Sequence, residues 1–243
     1  MRRPTLLWDV DGTLIEHAPA VRDRHAHAVD RALSRHSPVR PASGPRGLPG
    51  EPRGLPVATL GKTDRQIIIE ILAGNGQRDA GGDSSLIDAA LAHLDEVTIE
   101  DLAVAPASAL PGVADALRLL GAAGARNLLL TGNTPRRAEV KVRTAGLADH
   151  FDLGSGFYGH HHATRMELVV QAAATLDPAA LASTVIIGDT PLDITAARGG
   201  GVKVIAVATG AVSIDELAAH APDALVAYIE PAEFIAAIDR LLS

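Results

Sequence analysis

From Pro111 onward, apolar positions alternate between two rhythms. Short apolar blocks predict strands at Asn127 to Leu130, Val185 to Ile187, Val202 to Val207 and Ala224 to Ile229. Between them, apolar residues three and four apart predict helices. These cover about Val113 to Leu120, Thr134-Pro135 to near Gly146, Met166 to Leu176, Ile194 to Arg198, Ile214 to Ala219 and Ala232 to Leu242. Pro135 suits a first helical position, because it lacks only an N–H that would go unused there. Near the N-terminus, Thr5 to Val10 is a short apolar run compatible with a buried parallel strand. Strands alternating with helices predict an α/β fold, a parallel sheet covered on both faces.

The stretch from about Ala18 to Ala105 differs. Val21, Ala28, Val29, Ala32 and Leu33 fall at helical spacing. Ser37 to Pro56 is rich in proline, glycine and arginine and predicts a loop or disordered insert. Thr63-Asp64-Arg65-Gln66 has the form of a capping box opening a helix through Leu72. A further helix is predicted from about Ser84 to Leu102. With no strand pattern, this stretch predicts a separate helical domain.

Composition narrows the function. The chain has 243 residues, enough for one sizeable core plus a small second domain. Hydrophobic residues make up 47% but aromatics only 2%, so the core must be built from Ala, Val, Leu and Ile. A net charge of −7 argues against a nucleic-acid partner, despite arginines clustered from Arg22 to Arg53. There is no cysteine, which excludes disulfides, thiolate metal sites and a cysteine nucleophile. No apolar run approaches membrane-spanning length, so no membrane partner is expected. The apolar stretch before Asp9 is too short for a signal peptide, and the expected location is cytoplasmic.

In open α/β sheets, ligands bind beyond the carboxyl ends of the strands. Asp9 and Asp11 end the first strand. Thr131, Gly132 and Asn133 follow the second. Gly188, Asp189, Thr190 and then Asp193 follow the third. Several carboxylates at one point repel each other and resist burial. A hard divalent cation resolves the conflict, and magnesium commonly binds one or two carboxylates plus a phosphate. Thr131 can donate a hydroxyl hydrogen bond, Gly132 permits close backbone approach, and the helix opening at Pro135 presents a positive dipole end. Two aspartates at alternate positions suit two roles: one attacks phosphorus, and the other carries the proton.

Asp9-Val10-Asp11-Gly12-Thr13, Leu130-Thr131-Gly132-Asn133 and Gly188-Asp189-Thr190-Pro191-Leu192-Asp193 together resemble three signature motifs of the haloacid dehalogenase-like superfamily. Gly61-Lys62-Thr63-Asp64 also resembles a segment of the caps of phosphoglycolate phosphatase-like members. The resemblance implies a Rossmann-like three-layer core from residues 1–17 and 106–243, and a helical cap at 18–105 carrying an insert at about 37–57. It implies Asp9 as nucleophile and Asp11 as general acid/base. Asp9, the Asp11 backbone carbonyl and Asp189 would hold Mg2+, with Asp193 supporting the site. Thr131, Gly132 and Asn133 would bind phosphate. Asp11 favours phosphate-ester chemistry over dehalogenation, because halide departure needs no proton donor. The implied substrate is a small phosphorylated metabolite, and the protein a monomer or homodimer. Lys62 and Arg65 are candidate substrate contacts in the cap.

The match departs from the family at its lysine. Lys62, Lys141 and Lys203 are the only lysines, and none stands where the family lysine is expected. Arg165 is the candidate substitute, keeping the charge but with a different donor geometry. His160, His161 and His162 predict a solvated loop, because adjacent side chains do not converge in a strand. Gly154, Gly156 and Gly159 match a dinucleotide fingerprint but lack its strand-turn-helix context. Trp8 is expected to pack beside the site. Two rival readings stay open: a sugar phosphomutase of the same superfamily, and a non-catalytic binding or regulatory protein on this fold.

Overall fold

A computed structural model describes residues 3–16, 24–36, 59–77 and 84–243. The predicted Pro/Gly/Arg-rich insert lies outside the described residues.

Six parallel strands form one sheet: β1 (Thr5–Trp8), β2 (Arg126–Thr131), β3 (Phe157–Tyr158), β4 (Thr184–Gly188), β5 (Lys203–Val207) and β6 (Ala224–Val226), in the order β3-β2-β1-β4-β5-β6. The first strand lies between the second and fourth, with Trp8 opposite both Leu129 and Ile187. Connections run to opposite sides of β1, so the sheet's switch point falls there and opens a crevice at the strand ends.

The period-2 pleat splits the apolar residues of β1 between two layers. Leu6, Trp8 and Val10 pack against α4 (Val113–Ala122), α5 (Pro135–Thr144) and α10 (Pro231–Leu242). Leu7 faces α6 (Arg165–Thr175), α8 (Pro191–Gly199) and α9 (Ile214–Ala219). A four-residue helix, α7 (Pro178–Leu181), precedes β4. The result is the parallel α/β core expected from the alternating pattern, in the Rossmann-like arrangement that the resemblance implied.

Three helices, α1 (Arg24–His36), α2 (Asp64–Gly74) and α3 (Ser84–Val104), close a cluster of their own from residues such as Val29, Ile68, Leu72, Ile87 and Leu94. The capping box predicted at α2 is half formed. Thr63 accepts from the Gln66 amide, but the Gln66 side chain donates to Glu70 instead. A full capping box sits at α8, where Thr190 and Asp193 cap each other. That box starts α8 at Pro191, ahead of the predicted Ile194.

Trp8 is corrected. Its ring is buried in the sheet's core layer, 5.5 Å from the Phe234 ring, and its indole N–H donates to Asn127 at 3.0 Å. Aromatic burial and a satisfied N–H explain this placement.

Candidate active site

The strand ends bring the predicted residues together. Asp9 leaves β1, its amide donating to the Ile187 carbonyl at 2.9 Å. Asp189 leaves β4 fully buried and accepts from the Thr13 hydroxyl at 3.2 Å. A Cβ on Gly210 would overlap the Asp189 carboxylate, so glycine leaves room for it. One carboxylate oxygen from each of Asp9, Asp189 and Asp193 lies within 4.8 Å of the others. All three residues are buried.

Burial first, and then the Asp193, Asp189 and Asp11 charges, push the Asp9 carboxyl up to about 7, although Arg165 opposes them. A site whose neighbouring carboxylates raise the proton affinity of Asp9 is suited to a hard cation with oxygen ligands. Asp193 is held at both carboxylate oxygens. One of its oxygens accepts from the Thr190 amide and hydroxyl, at 3.1 and 2.6 Å, and the other pairs with Arg165. The Asp11 side chain lies outside this trio.

Arg165, at the first position of α6, is 3% exposed. Its guanidinium donates to Asp9 at 3.2 Å and to the Leu130 carbonyl at 3.1 Å, and pairs with Asp193. It thus stands against the Asp9 carboxylate.

Lys141 is also in the site, contrary to its setting aside on sequence. Its ammonium is buried, 2.5 Å from Asp11 and 2.8 Å from the Asn133 side-chain oxygen. Asn133 donates to Asp11 and to the Thr131 hydroxyl, both at 2.8 Å. Burial alone would raise the Asp11 carboxyl. The Lys141 charge and the hydrogen bonds from Asn133 and Lys141 outweigh it and hold Asp11 below its ordinary value. The missed signal was helical geometry. Thr134, Arg137 and Lys141 recur at three and four residues, on one face of α5, and long side chains lean toward a helix N-terminus.

Helix α2 closes the crevice. The Asp64 amide donates to the Gly132 carbonyl at 2.8 Å, and Thr63 donates to the His162 carbonyl at 2.7 Å. A Cβ on Gly132 would overlap the Lys62 carbonyl oxygen. The close approach that glycine permits here is therefore that of the 62–63 backbone. The Asp64 carboxylate pairs with Arg137, accepts from the Thr134 amide at 3.1 Å and lies 2.9 Å from His25 Nε2. Burial would raise Asp64, but the Arg137 charge and the His25 hydrogen bond prevail and hold it well below the carboxylate range. Lys62 lines the crevice, with its ammonium 2.6 Å from Glu70. Arg65 turns instead to the His160 carbonyl at 3.4 Å and to Asp88 at 3.5 Å.

The histidine run forms a short 3-10 turn, with the His160 and His161 rings 3.8 Å apart. Among the described residues, it is not part of a converging metal-ligand group. Around Asp9, Asp11, Thr131, Arg137, Lys141 and Arg165 lies a cavity of about 90 Å³.

A family model described as haloacid dehalogenase-like hydrolase matches residues 4–201. The chain belongs to that family of hydrolases. It is 28% identical over 227 residues to a Dickeya dadantii (strain 3937) protein named "Probable phosphatase IndB", covering 92% of this chain and 89% of that one. Solved structures share the fold. A predicted phosphoglycolate phosphatase from Haemophilus somnus 129pt has TM-score 0.58 at 16% identity, covering 97% of this chain and 99% of that chain. CbbY from Rhodobacter sphaeroides, in complex with phosphate, has TM-score 0.58 at 18% identity, covering 98% and 100%.

Proposed function

We propose that this hydrolase is a magnesium-dependent phosphatase that cleaves a small phosphomonoester through an aspartyl-phosphate on Asp9. The observation that carries this reading is the meeting of buried Asp9, Asp189 and Asp193 with Arg165 and Lys141 at one set of strand ends. The relative named as a phosphatase supports it. In this reading residues 18–105 act as a cap over a core made of 1–17 and 106–243.

Asp9, the Asp11 backbone carbonyl and Asp189 would hold the metal. Magnesium, when bound, supplies positive charge against the transferring phosphoryl group. An Asp9 carboxylate oxygen attacks phosphorus, and the bond from phosphorus to the ester oxygen breaks. Asp11 gives its proton to the departing oxygen. Asp11 then takes a proton from water, whose oxygen attacks phosphorus and frees Asp9 and inorganic phosphate. Lys141 and Asn133 hold Asp11 in its basic form, as that second step requires. A phosphate dianion beside Asp11 raises its proton affinity for the first step. Arg165, Thr131, Gly132 and Asn133 hold the phosphate.

Phosphate release from a panel of phosphate esters, with and without magnesium, tests this reading. Wild-type turnover should need the metal, and Asp9→Asn should abolish it. Beryllium fluoride should trap an aspartyl-phosphate mimic on the wild type alone. Undiminished turnover by Asp9→Asn would sink the mechanism. Near-normal turnover and phosphate affinity in Arg165→Ala would remove Arg165 from its role.

A further inference from the structure

Helix α5 sends two cations into the crevice, and the mechanism uses only one of them. Lys141 meets Asp11, and Arg137 lies one helical turn before it on the same face. Arg137 is 2% exposed and lines the cavity together with Asp11.

Its guanidinium is anchored at two of its three nitrogens. Nε donates to the Thr98 hydroxyl of α3 at 3.0 Å, and Nη1 pairs with Asp64 of α2. Thr98 gives its own proton to the Leu94 carbonyl at 2.7 Å, so its oxygen is free to accept from Arg137. A guanidinium is planar, and two fixed nitrogens fix the direction of the third. That third nitrogen, Nη2, makes no hydrogen bond among the described residues, and it is not sealed from its surroundings. An unmet donor on a buried charged group costs free energy that an incoming acceptor recovers. Arginine only donates, so the partner must bring a lone pair.

The bound substrate has such atoms within reach. Its ester oxygen must approach Asp11 to be protonated. The group attached to that oxygen then lies in the cavity that Asp11 and Arg137 share. We propose that Arg137 is a specificity-determining residue whose Nη2 donates to an oxygen of the leaving group, so that the substrate is a small phosphate ester carrying a hydroxyl or carboxylate near the phosphate. This rests on the phosphatase reading. Either group supplies the same acceptor oxygen, and a carboxylate adds charge to the hydrogen bond. The cap helices take part in choosing the substrate through Thr98 and Asp64, which aim the donor. The cavity of about 90 Å³ suits a leaving group of few carbons.

The test compares kcat/KM, with magnesium, for glycerol 1-phosphate, 3-phosphoglycerate, 1-propyl phosphate and phosphoethanolamine. Propyl phosphate keeps the chain length and lacks the acceptor, and the ammonium of phosphoethanolamine only donates. In the wild type, at least one of the first two should exceed propyl phosphate by about tenfold or more, because a site built around a hydrogen bond rejects an analogue lacking it. The faster of the two identifies the acceptor as hydroxyl or carboxylate. Phosphoethanolamine should not exceed propyl phosphate. Arg137→Lys keeps a cation for Asp64 and has no Nη2. The double variant Asp64→Asn, Arg137→Met buries neither charge, which guards against loss of fold in the first. Each should shrink the preference over propyl phosphate at least fivefold. This ratio is insensitive to the fraction of folded enzyme, so a merely structural role would not move it. A preference unaltered in either variant overturns the assignment. Wild-type turnover with no preference over propyl phosphate, or fastest for phosphoethanolamine, overturns this inference alone. So does turnover of an aryl phosphate with none of the four. Failure to release phosphate from any of the four, and from an aryl phosphate, overturns the phosphatase reading and this inference with it.

Discussion

Replacing Asp64 by asparagine removes a buried charge while keeping the shape of the side chain. Asp64 joins the start of α2 to the core helix α5: it pairs with Arg137, accepts from the Thr134 amide and contacts His25. In Asp64→Asn the guanidinium of Arg137, only 2% exposed, loses that carboxylate and keeps its hydrogen bond to the Thr98 hydroxyl at 3.0 Å. Breaking a buried pair on one side costs about 3–5 kcal/mol, and the retained amide oxygen argues for the lower end, about 3 kcal/mol. For a chain of this size each kcal/mol moves Tm by about 2–4 °C, so a fall of roughly 6–12 °C is expected.

The pH dependence follows from the depressed carboxyl of Asp64. A folded value below the unfolded one stabilises the native state fully above about pH 4, and the gain is lost as pH falls through the folded value. The Tm gap between wild type and Asp64→Asn should therefore stay constant from pH 8 to pH 5 and narrow only in stronger acid. Calorimetry in EDTA measures it, with Arg137→Met and the double variant completing a cycle. The double variant should be more stable than the sum of the single losses predicts, because it buries no orphaned charge. A loss under about 2 °C, or strict additivity, would refute the reasoning.

Lys141→Met should lower kcat roughly 100-fold. Because Lys141 lowers the Asp11 carboxyl, its loss should move the acid limb of the kcat–pH profile upward. Without metal, Asp9→Asn should stabilise the fold at pH 8 by a few kcal/mol, seen as a higher Tm, and by clearly less at pH 5. A raised carboxyl stabilises the fold at low pH and loses that contribution as pH climbs through about 7; calorimetry at both pH values checks this. Gly132→Ala should speed hydrogen exchange of the Asp64 amide at least tenfold, because the new Cβ displaces the 62–63 backbone from the Gly132 carbonyl. Amide exchange followed by mass spectrometry measures it.

Much of the fold was legible where a periodic pattern ran long enough. The helix Ile214–Ala219 matches its prediction, and β2 and β4 exceed theirs by one residue at each end. The strand predicted to Ile229 ends at Val226. It is an edge strand whose partner β5 ends at Val207, opposite Val226, so later backbone has no ladder to join. Strand β3 has only two residues and exists by pairing with Leu130 and Thr131. Two residues carry no periodicity.

The sequence alone determined the order of carboxylates and hydroxyls at the strand ends, because strand ends and turns are set by local apolar runs and glycines. Asp9, Thr131 and Asp189 could be named from it, together with Arg165 as a candidate. Only the tertiary structure decided which charges share a cavity. Lys141 reaches Asp11 across 130 positions of chain, and Asp64 reaches Arg137 across 73. Those pairings depend on the helix α5 packing between the sheet and α3, and on α2 descending onto Gly132. Neither is encoded within any window of neighbouring residues. Burial then gives the contacts their chemical effect: in a low dielectric, partners a few ångströms apart drive Asp9 up and Asp11 down.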